Sequence, residues 1–336
     1  MSKVNLWQRV RRFKGAKVAI LGDLMLDEHL WCEVSRISPE APVPVARVKQ
    51  ITHEPGGAAN VAHNVTDLGG DSYLFGTVGY DDSGEKLMEK LKLKKIRTDC
   101  LIRTQSRPTI LKSRIIAHQQ HVVRVDRERT DPIQPKTYQR VLETFRSLAP
   151  ELHAVLISDY HKGFLTDQLT QAIIKLARHY HIPVLVDPKG IVWRKYRGAT
   201  LLTPNRGEAE AAAKMKLADD VSLSNAAAKL IRQMALSYLL VTRSEQGMTL
   251  FPSRGRPWHV SAVAREVFDI TGAGDTVIAA LALGLATSCP IKEAVVIANA
   301  AASIVVTKVG TATANAQELG AVLQKLNRSQ PKLHPW

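Results

Sequence analysis

The chain has 336 residues, 45% of them hydrophobic and 5% aromatic, with a formal net charge of +15. That size and apolar content allow one large α/β domain or two small ones, and no run of 18 apolar residues offers a membrane span. The first residues lack the apolar core of a signal peptide, and Cys32, Cys100 and Cys289 have neither metal nor disulfide spacing, so a reducing cytoplasm is expected.

In chain order, apolar patterning predicts a strand over 17–22, a helix over 58–68, a strand over 73–78 and a helix over 85–94. A helix over 136–148, a strand over 154–158, a helix over 168–180 and strands over 184–186 and 201–203 follow. Then come a helix over 224–235, a strand over 238–242, and helices over 276–287 and 292–305. Strand alternating with helix argues for a doubly wound, mostly parallel sheet flanked by helices. Several strands end in polar turns: Gly22-Asp23, Ser158-Asp159, Asp187-Pro-Lys189, Thr203-Pro-Asn205 and Thr242-Arg243-Ser244. Ligands of such sheets bind beyond the carboxyl ends of the strands, so these turns mark where a site should be.

Two segments break the alternation. Residues 29–50 and 107–126 interleave charges with Val and Ile and carry no helix signal, and Val43-Pro-Val45 suits an edge strand. They are expected to form a small β-sheet projecting as a lid from a domain spanning 1–330, with 331–336 as a frayed tail. An open edge and an apolar face on such a sheet need covering, which predicts a homodimer joined through it.

The run Asp269-Ile-Thr-Gly-Ala-Gly-Asp275 stands at the head of the apolar helix predicted over 276–287. A glycine-rich turn opening a helix presents free N–H groups and partial positive charge to an anion. Asp275 adds a carboxylate, a poor phosphate ligand but a suitable proton acceptor for an attacking hydroxyl. Cradle plus base suggests phosphoryl transfer to an alcohol; the plainer alternative is a helix start with glycines for tight packing.

With Gly56-Gly57-Ala-Ala-Asn60 near the start and Asp269-Ile-Thr-Gly-Ala-Gly-Asp275 near the end, the chain resembles the ribokinase-like (PfkB) carbohydrate kinases over nearly its whole length. Asn205-Arg-Gly-Glu208 matches the family's Asn-x-x-Glu, and Thr242-Arg-Ser-Glu-Gln-Gly247 is similar to its nucleotide-side strand and turn. Arg36 to Val45, Ser158-Asp-Tyr-His-Lys-Gly163, Val186-Asp-Pro-Lys-Gly190 and Leu202-Thr-Pro-Asn205 resemble the branch that phosphorylates D-glycero-β-D-manno-heptose 7-phosphate at O1, on the way to the ADP-heptose of lipopolysaccharide. Many relatives fuse such a kinase to a nucleotidyltransferase with a His-x-Gly-His motif; none occurs here, so a stand-alone kinase is expected. Gln119-Gln120-His121 departs from the family's order in the second lid segment.

The resemblance implies ATP as co-substrate and Mg²⁺. Asp275 is expected to take the proton, working by position rather than by a raised pKa because a helix N-terminus favours its ionised form. Gly272, Ala273 and Gly274 would offer N–H groups to the transferred phosphoryl group. Asn205 and Glu208 would organise Mg²⁺, mainly through water, although Glu208 also fits a first-turn helix acid. Lys189, Thr242, Arg243 and Ser244 are candidates for the ATP phosphates, or solvated surface groups. Asn299 is a candidate for the adenine pocket or a buried helix amide. Asp269 and Thr271 resemble the loop that holds K⁺ in some members.

On the acceptor side, Asp23 and Asp27 suit sugar hydroxyls, one of them alternatively capping a turn, with Asp27 the firmer sugar ligand. Gly56 and Gly57 would let the backbone approach the sugar, and Asn60 can donate and accept at once, or cap its helix. A substrate that already carries a phosphate needs cations. Arg107, Lys112, Arg114 and Arg124 are the supply, the last three sharing strand parity, with a solvated sheet face as the alternative. A kinase of this fold acting on another sugar is the nearest rival. A silent sugar-phosphate sensor or nucleic-acid-binding protein is encouraged by the +15 charge. The intact motifs, the spread of basic residues and the missing recognition helix count against it, and against nucleic-acid or membrane partners.

Overall fold

In the computed structural model, which describes residues 5–118, 120–264, 267–308, 310–329 and 334–335, the polar turns do collect at one end of a large sheet. Gln119 and most of the expected tail lie outside the described residues. The first half of the chain runs α1 (Leu6–Arg11), β1 (Lys17–Gly22), β2 (Leu24–Ile37), β3 (Pro44–Gly57), α2 (Ala58–Asp67), β4 (Asp71–Gly79) and α3 (Asp82–Leu93). It continues through β5 (Leu101–Thr104), β6 (Ile110–Ala117), β7 (Gln120–Arg127) and α4 (Pro135–Leu148). The second half adds β8 (Ala154–Ser158), α5 (Asp167–His179), β9 (Val184–Asp187), β10 (Leu201–Leu202), α6 (Arg206–Ala213), α7 (Asp220–Met234) and β11 (Tyr238–Thr242). After β12 (Met248–Pro252) and β13 (Trp258–Val260) come α8 (Ala273–Ala286), α9 (Ile291–Val305), α10 (Ala316–Ser329) and β14 (His334–Pro335).

The large sheet has the order β14-β13-β12-β11-β10-β9-β8-β1-β4-β5. From β11 to β5 neighbouring strands are parallel; β12 to β14 extend the other edge antiparallel. The central strands are buried along their length, β8 reading Ala-Val-Leu-Ile-Ser without an exposed residue. Such continuous apolar runs belong to strands covered on both faces. One core, built on Ile20, Leu156 and Leu201, packs with α2, α8 and α9. The other, built on Leu21, Val155 and Ile157, packs with α4, α5 and α7. The register sets Gly22 beside Ser158 and Ser158 beside Asp187, so three polar strand ends lie in one row.

The second sheet has the order β3-β2-β6-β7 and is mixed, β2 and β6 running parallel and the other pairs antiparallel. β2 and β3 are 14 residues each and reach well past the predicted 29–50, so that Asp27, Gly56 and Gly57 stand where the two sheets meet. Pro44 opens β3 at the sheet edge, as expected of a proline.

Candidate active site

Gly272 caps α8 with φ +79°, a left-handed conformation that glycine adopts without strain. Asp275 follows in the first turn, 6% exposed. Its Oδ2 accepts from Asn60 Nδ2 at 2.7 Å and its Oδ1 from the Tyr160 hydroxyl at 3.1 Å. Burial pushes the Asp275 carboxyl up to about 6, although Asn60, Tyr160 and Lys189 all pull the other way. This corrects the expectation of an ordinarily ionised carboxylate: loss of hydration outweighs the field of the helix end. A side chain built on Gly274 would meet nothing within 4 Å, so the first turn of α8 faces open space. The N–H of Ala273 is not one of the expected donors, because it donates to Ile270 O at 3.2 Å.

Beside Asp275 lies a nest of carboxylates around one lysine. Lys189 Nζ stands 2.7 Å from Glu208 Oε1, 3.7 Å from Asp187 Oδ2 and 5.9 Å from the centre of the Tyr160 ring. Glu208 takes the first-turn position of its helix-acid alternative. Its Oε2 accepts from the Asn205 N–H at 2.9 Å while Asn205 Oδ1 accepts from the Glu208 N–H at 2.9 Å, a reciprocal cap that starts α6. Asp187, not singled out from the sequence beyond its polar turn, is pushed up to about 7 by burial and by Asp275, Glu208 and Asp159, with Lys189 opposing. So many buried carboxylates against one lysine suit a site completed by added positive charge. Magnesium, which needs few protein oxygens, fits Asp187 and Glu208 in this respect.

The turn after β8 fixes the next group. Asp23 Oδ2 accepts from the N–H groups of Tyr160 and Lys162 at 3.1 and 3.0 Å, and its Oδ1 from that of Phe164 at 3.1 Å. Asp23 is thereby the turn-holding member of the aspartate pair. Asp159 accepts from the His161 N–H at 2.8 Å and the Tyr196 hydroxyl at 2.6 Å and pairs with Lys195. Tyr160 was not foreseen from the sequence; its only signal is the Ser-Asp-Tyr run at a strand end.

On the acceptor side, Asp27 pairs with Arg114, and a side chain at position 56 would collide with the Asp27 carboxylate, so Gly56 permits the contact. Asn60 Oδ1 is buried and has no partner among the described residues, leaving an acceptor at the site. Lys112 and Arg114 lie on the face of the small sheet that carries Asp27, with Arg124 opposite Arg114 across the β6–β7 pair. All three cations already hold carboxylates: Lys112 bonds Asp126 at 2.8 Å and Glu128 at 3.3 Å, and Arg124 bonds Asp126 at 2.9 Å. Lys162 joins the group through Glu128. Arg107 is not on a strand; its guanidinium donates to Arg129 O at 2.6 Å and to Lys162 O.

On the expected nucleotide side, Thr242 donates its N–H to Pro204 O at 3.0 Å, which ties β11 to the α6 cap. The Arg243 guanidinium donates to Asp220 at 2.7 Å and Thr249 at 3.3 Å, and Ser244 has φ +51°. Asn299, buried in the middle of α9, donates to Ser261 O at 2.7 Å. Asp269 accepts from the N–H groups of Thr271 and Gly310, each at 2.9 Å, one on each of its oxygens.

The model of the pfkB family of carbohydrate kinases matches residues 16–318. The chain belongs to this family. It is 42% identical over 99% of its length to the bifunctional protein HldE of Pelobacter propionicus and 43% identical over 95% to that of Helicobacter pylori, spanning 68% of each. It spans 64% of the HldE of Desulfatibacillum aliphaticivorans, 43% identical. In fold it is similar to Arabidopsis thaliana ribokinase complexed with ribose and ATP (TM-score 0.76, 21% identity, 93% of this chain and 99% of that one). Escherichia coli phosphofructokinase-2 in complex with potassium gives 0.74, 19%, 94% and 100%. The protein is therefore an ATP-dependent sugar kinase of ribokinase-like fold.

Proposed function

We propose that the enzyme transfers the terminal phosphoryl group of ATP to O1 of D-glycero-β-D-manno-heptose 7-phosphate, giving the 1,7-bisphosphate for ADP-heptose synthesis. The observation that carries this reading is Asp275, a buried carboxylate at an open glycine-led helix start, set between sugar-side Asn60 and Lys189. The identity to HldE proteins over nearly the whole chain supports the heptose substrate, together with the heptose-kinase-like segments on the same turns.

Asp275 accepts the proton of O1 as that oxygen attacks, and a base poised near 6 is matched to the task at neutral pH. The N–H groups of Gly272 and Gly274 face the phosphoryl group, and Lys189 meets its charge. Asp187 and Glu208 would hold Mg²⁺, which when bound neutralises charge on the phosphates. Asp269, each of whose oxygens accepts one backbone N–H, keeps a lone pair on each for a monovalent cation, and Asp269 with Thr271 would hold K⁺ there. Asp27, Gly57 and Asn60 hold the sugar, and Lys112, Arg114 and Arg124 its phosphate. These three with Lys162 oppose Asp27, Asp126 and Glu128, an excess of positive charge available to an anion.

The other face of the small sheet supports a homodimer. Ile51, Leu30, Ile115 and Val123 lie in one row across its four strands. Ile51 and Val123 are 49% and 48% exposed, and an exposed apolar row of this kind marks an interface. A second copy of the same sheet covers it by symmetry.

ATP consumption measured over a panel of plain and phosphorylated sugars tests the substrate. Heptose 7-phosphate should give the highest kcat/KM; preference for an unphosphorylated sugar would contradict the proposal.

A further inference from the structure

The two donors on Asp275 differ in kind. Asn60 is a buried amide on α2, held on Oδ2 at 2.7 Å. Tyr160 supplies an O–H group to Oδ1 at 3.1 Å, chemically the same donor that a sugar hydroxyl presents to its base. The rest of Tyr160 is anchored independently of that contact. Its N–H donates to Asp23, the flanking Asp159 is tied to Tyr196 and Lys195, and Lys189 faces its ring. Burial, with Asp275, Asp187 and Asp27 nearby, pushes the phenol well above its ordinary pKa, so it remains a donor at every working pH.

The geometry points to Tyr160 as a positioning residue whose hydroxyl occupies Asp275 Oδ1 until the acceptor hydroxyl of the sugar displaces it, keeping water from the base. The inference rests on Asp275 being that base. The reaction it suppresses is hydrolysis of ATP. A water oxygen bonds to the terminal phosphorus, the bond to the ADP oxygen breaks, and the water proton passes to Asp275 and then to solvent. Tyr160 makes or breaks no covalent bond; it decides which hydroxyl reaches the carboxylate.

Tyr160→Phe keeps the ring and removes the hydroxyl. With ATP and Mg²⁺ alone, hydrolysis should rise roughly 10- to 100-fold, the worth of one hydrogen bond to a charged group. With heptose 7-phosphate present, ADP formed per bisphosphate should rise above the wild-type ratio. The acid limb of the kinase pH profile should move to higher pH, because one donor that favours the ionised Asp275 is gone. Adding Asp275→Asn should abolish the extra hydrolysis. Should the Phe variant not fold, Tyr160→Met poses the same question. Unchanged hydrolysis and an unchanged product ratio, with Asp275→Asn inactive, would overturn the inference and leave the base in place. Wild-type turnover in Asp275→Asn would overturn both.

Discussion

The end of the large sheet and the small four-stranded sheet both gather charge, but they hold it in opposite ways. At the strand ends, Asp275, Asp187 and Glu208 surround a single lysine, and two of the three carboxyls are displaced upward, to about 6 and about 7. On the small sheet and the turn after it, Asp27, Asp126 and Glu128 each have a cation within bonding distance, and Asp126 and Glu128 are held below the usual range, their lysine and arginine partners outweighing the cost of burial. The first region holds carboxyls that burial destabilises as anions, a pattern that clusters at functional sites. The second is a paired network with one cation in excess, which an incoming anion can rearrange. The proposed function therefore puts chemistry at the sheet end and recognition on the small sheet.

Substitutions that touch only one region can break that division. The largest effect is expected from Asp275→Asn, whose turnover should fall about 10²–10⁴-fold with the KM for ATP and sugar phosphate little changed. Steady-state kinetics decides. Lys112→Ala or Arg114→Ala should raise the KM for heptose 7-phosphate roughly 10- to 100-fold and leave that for ATP nearly unmoved, since charge-assisted hydrogen bonds are worth about 1.5–3 kcal/mol. A sugar-phosphate KM within about twofold of wild type would remove the small sheet from phosphate binding. Arg114→Ala should also lower thermal stability, because it leaves buried Asp27 unpaired.

Asp187→Asn offers a smaller and opposite effect. The folded-state pKa of Asp187 lies above its unfolded value, so the native protein binds that proton more tightly and loses stability as pH rises from about 4 to about 7. The ligand-free variant should therefore melt a few degrees higher than wild type, by a gain that grows up to pH 7 and then levels off. A gain that shrinks with rising pH would contradict the burial argument. Val123→Glu should convert a dimer to monomer in light scattering while turnover per chain changes least of all. An unaltered mass would move the interface elsewhere.

Strands whose burial is written as an unbroken apolar run were legible to the residue, β8 and β11 among them. β2 and β3 were read too short, because charges such as Asp27, Glu28 and Glu54 interrupt the alternation where the strands enter the site. The edge strands β12 to β14 and the short α6 lacked a period long enough to register. In the site, motif residues Asp275, Asn60 and Glu208 did come together, although Asn60 and Asp275 are 215 positions apart. Tyr160 and Asp187 were missed as participants because strand-end polar residues acquire a role only when register puts neighbouring strands side by side. The raised pKa of Asp275 was missed for a related reason: burial belongs to the fold, whereas the helix-end charge that argued the other way could be read locally.

The most direct test of the division between chemistry and recognition is a kinetic cycle on Asp275→Asn, Lys112→Ala and the double variant, with kcat and both KM values measured for each. The first should lose kcat alone, the second should raise only the sugar-phosphate KM, and the double variant should show both losses at full size, as independent sites do. If Asp275→Asn instead keeps near-wild-type kcat, or if Lys112→Ala loses as much kcat as Asp275→Asn, the two regions do not divide the work in this way.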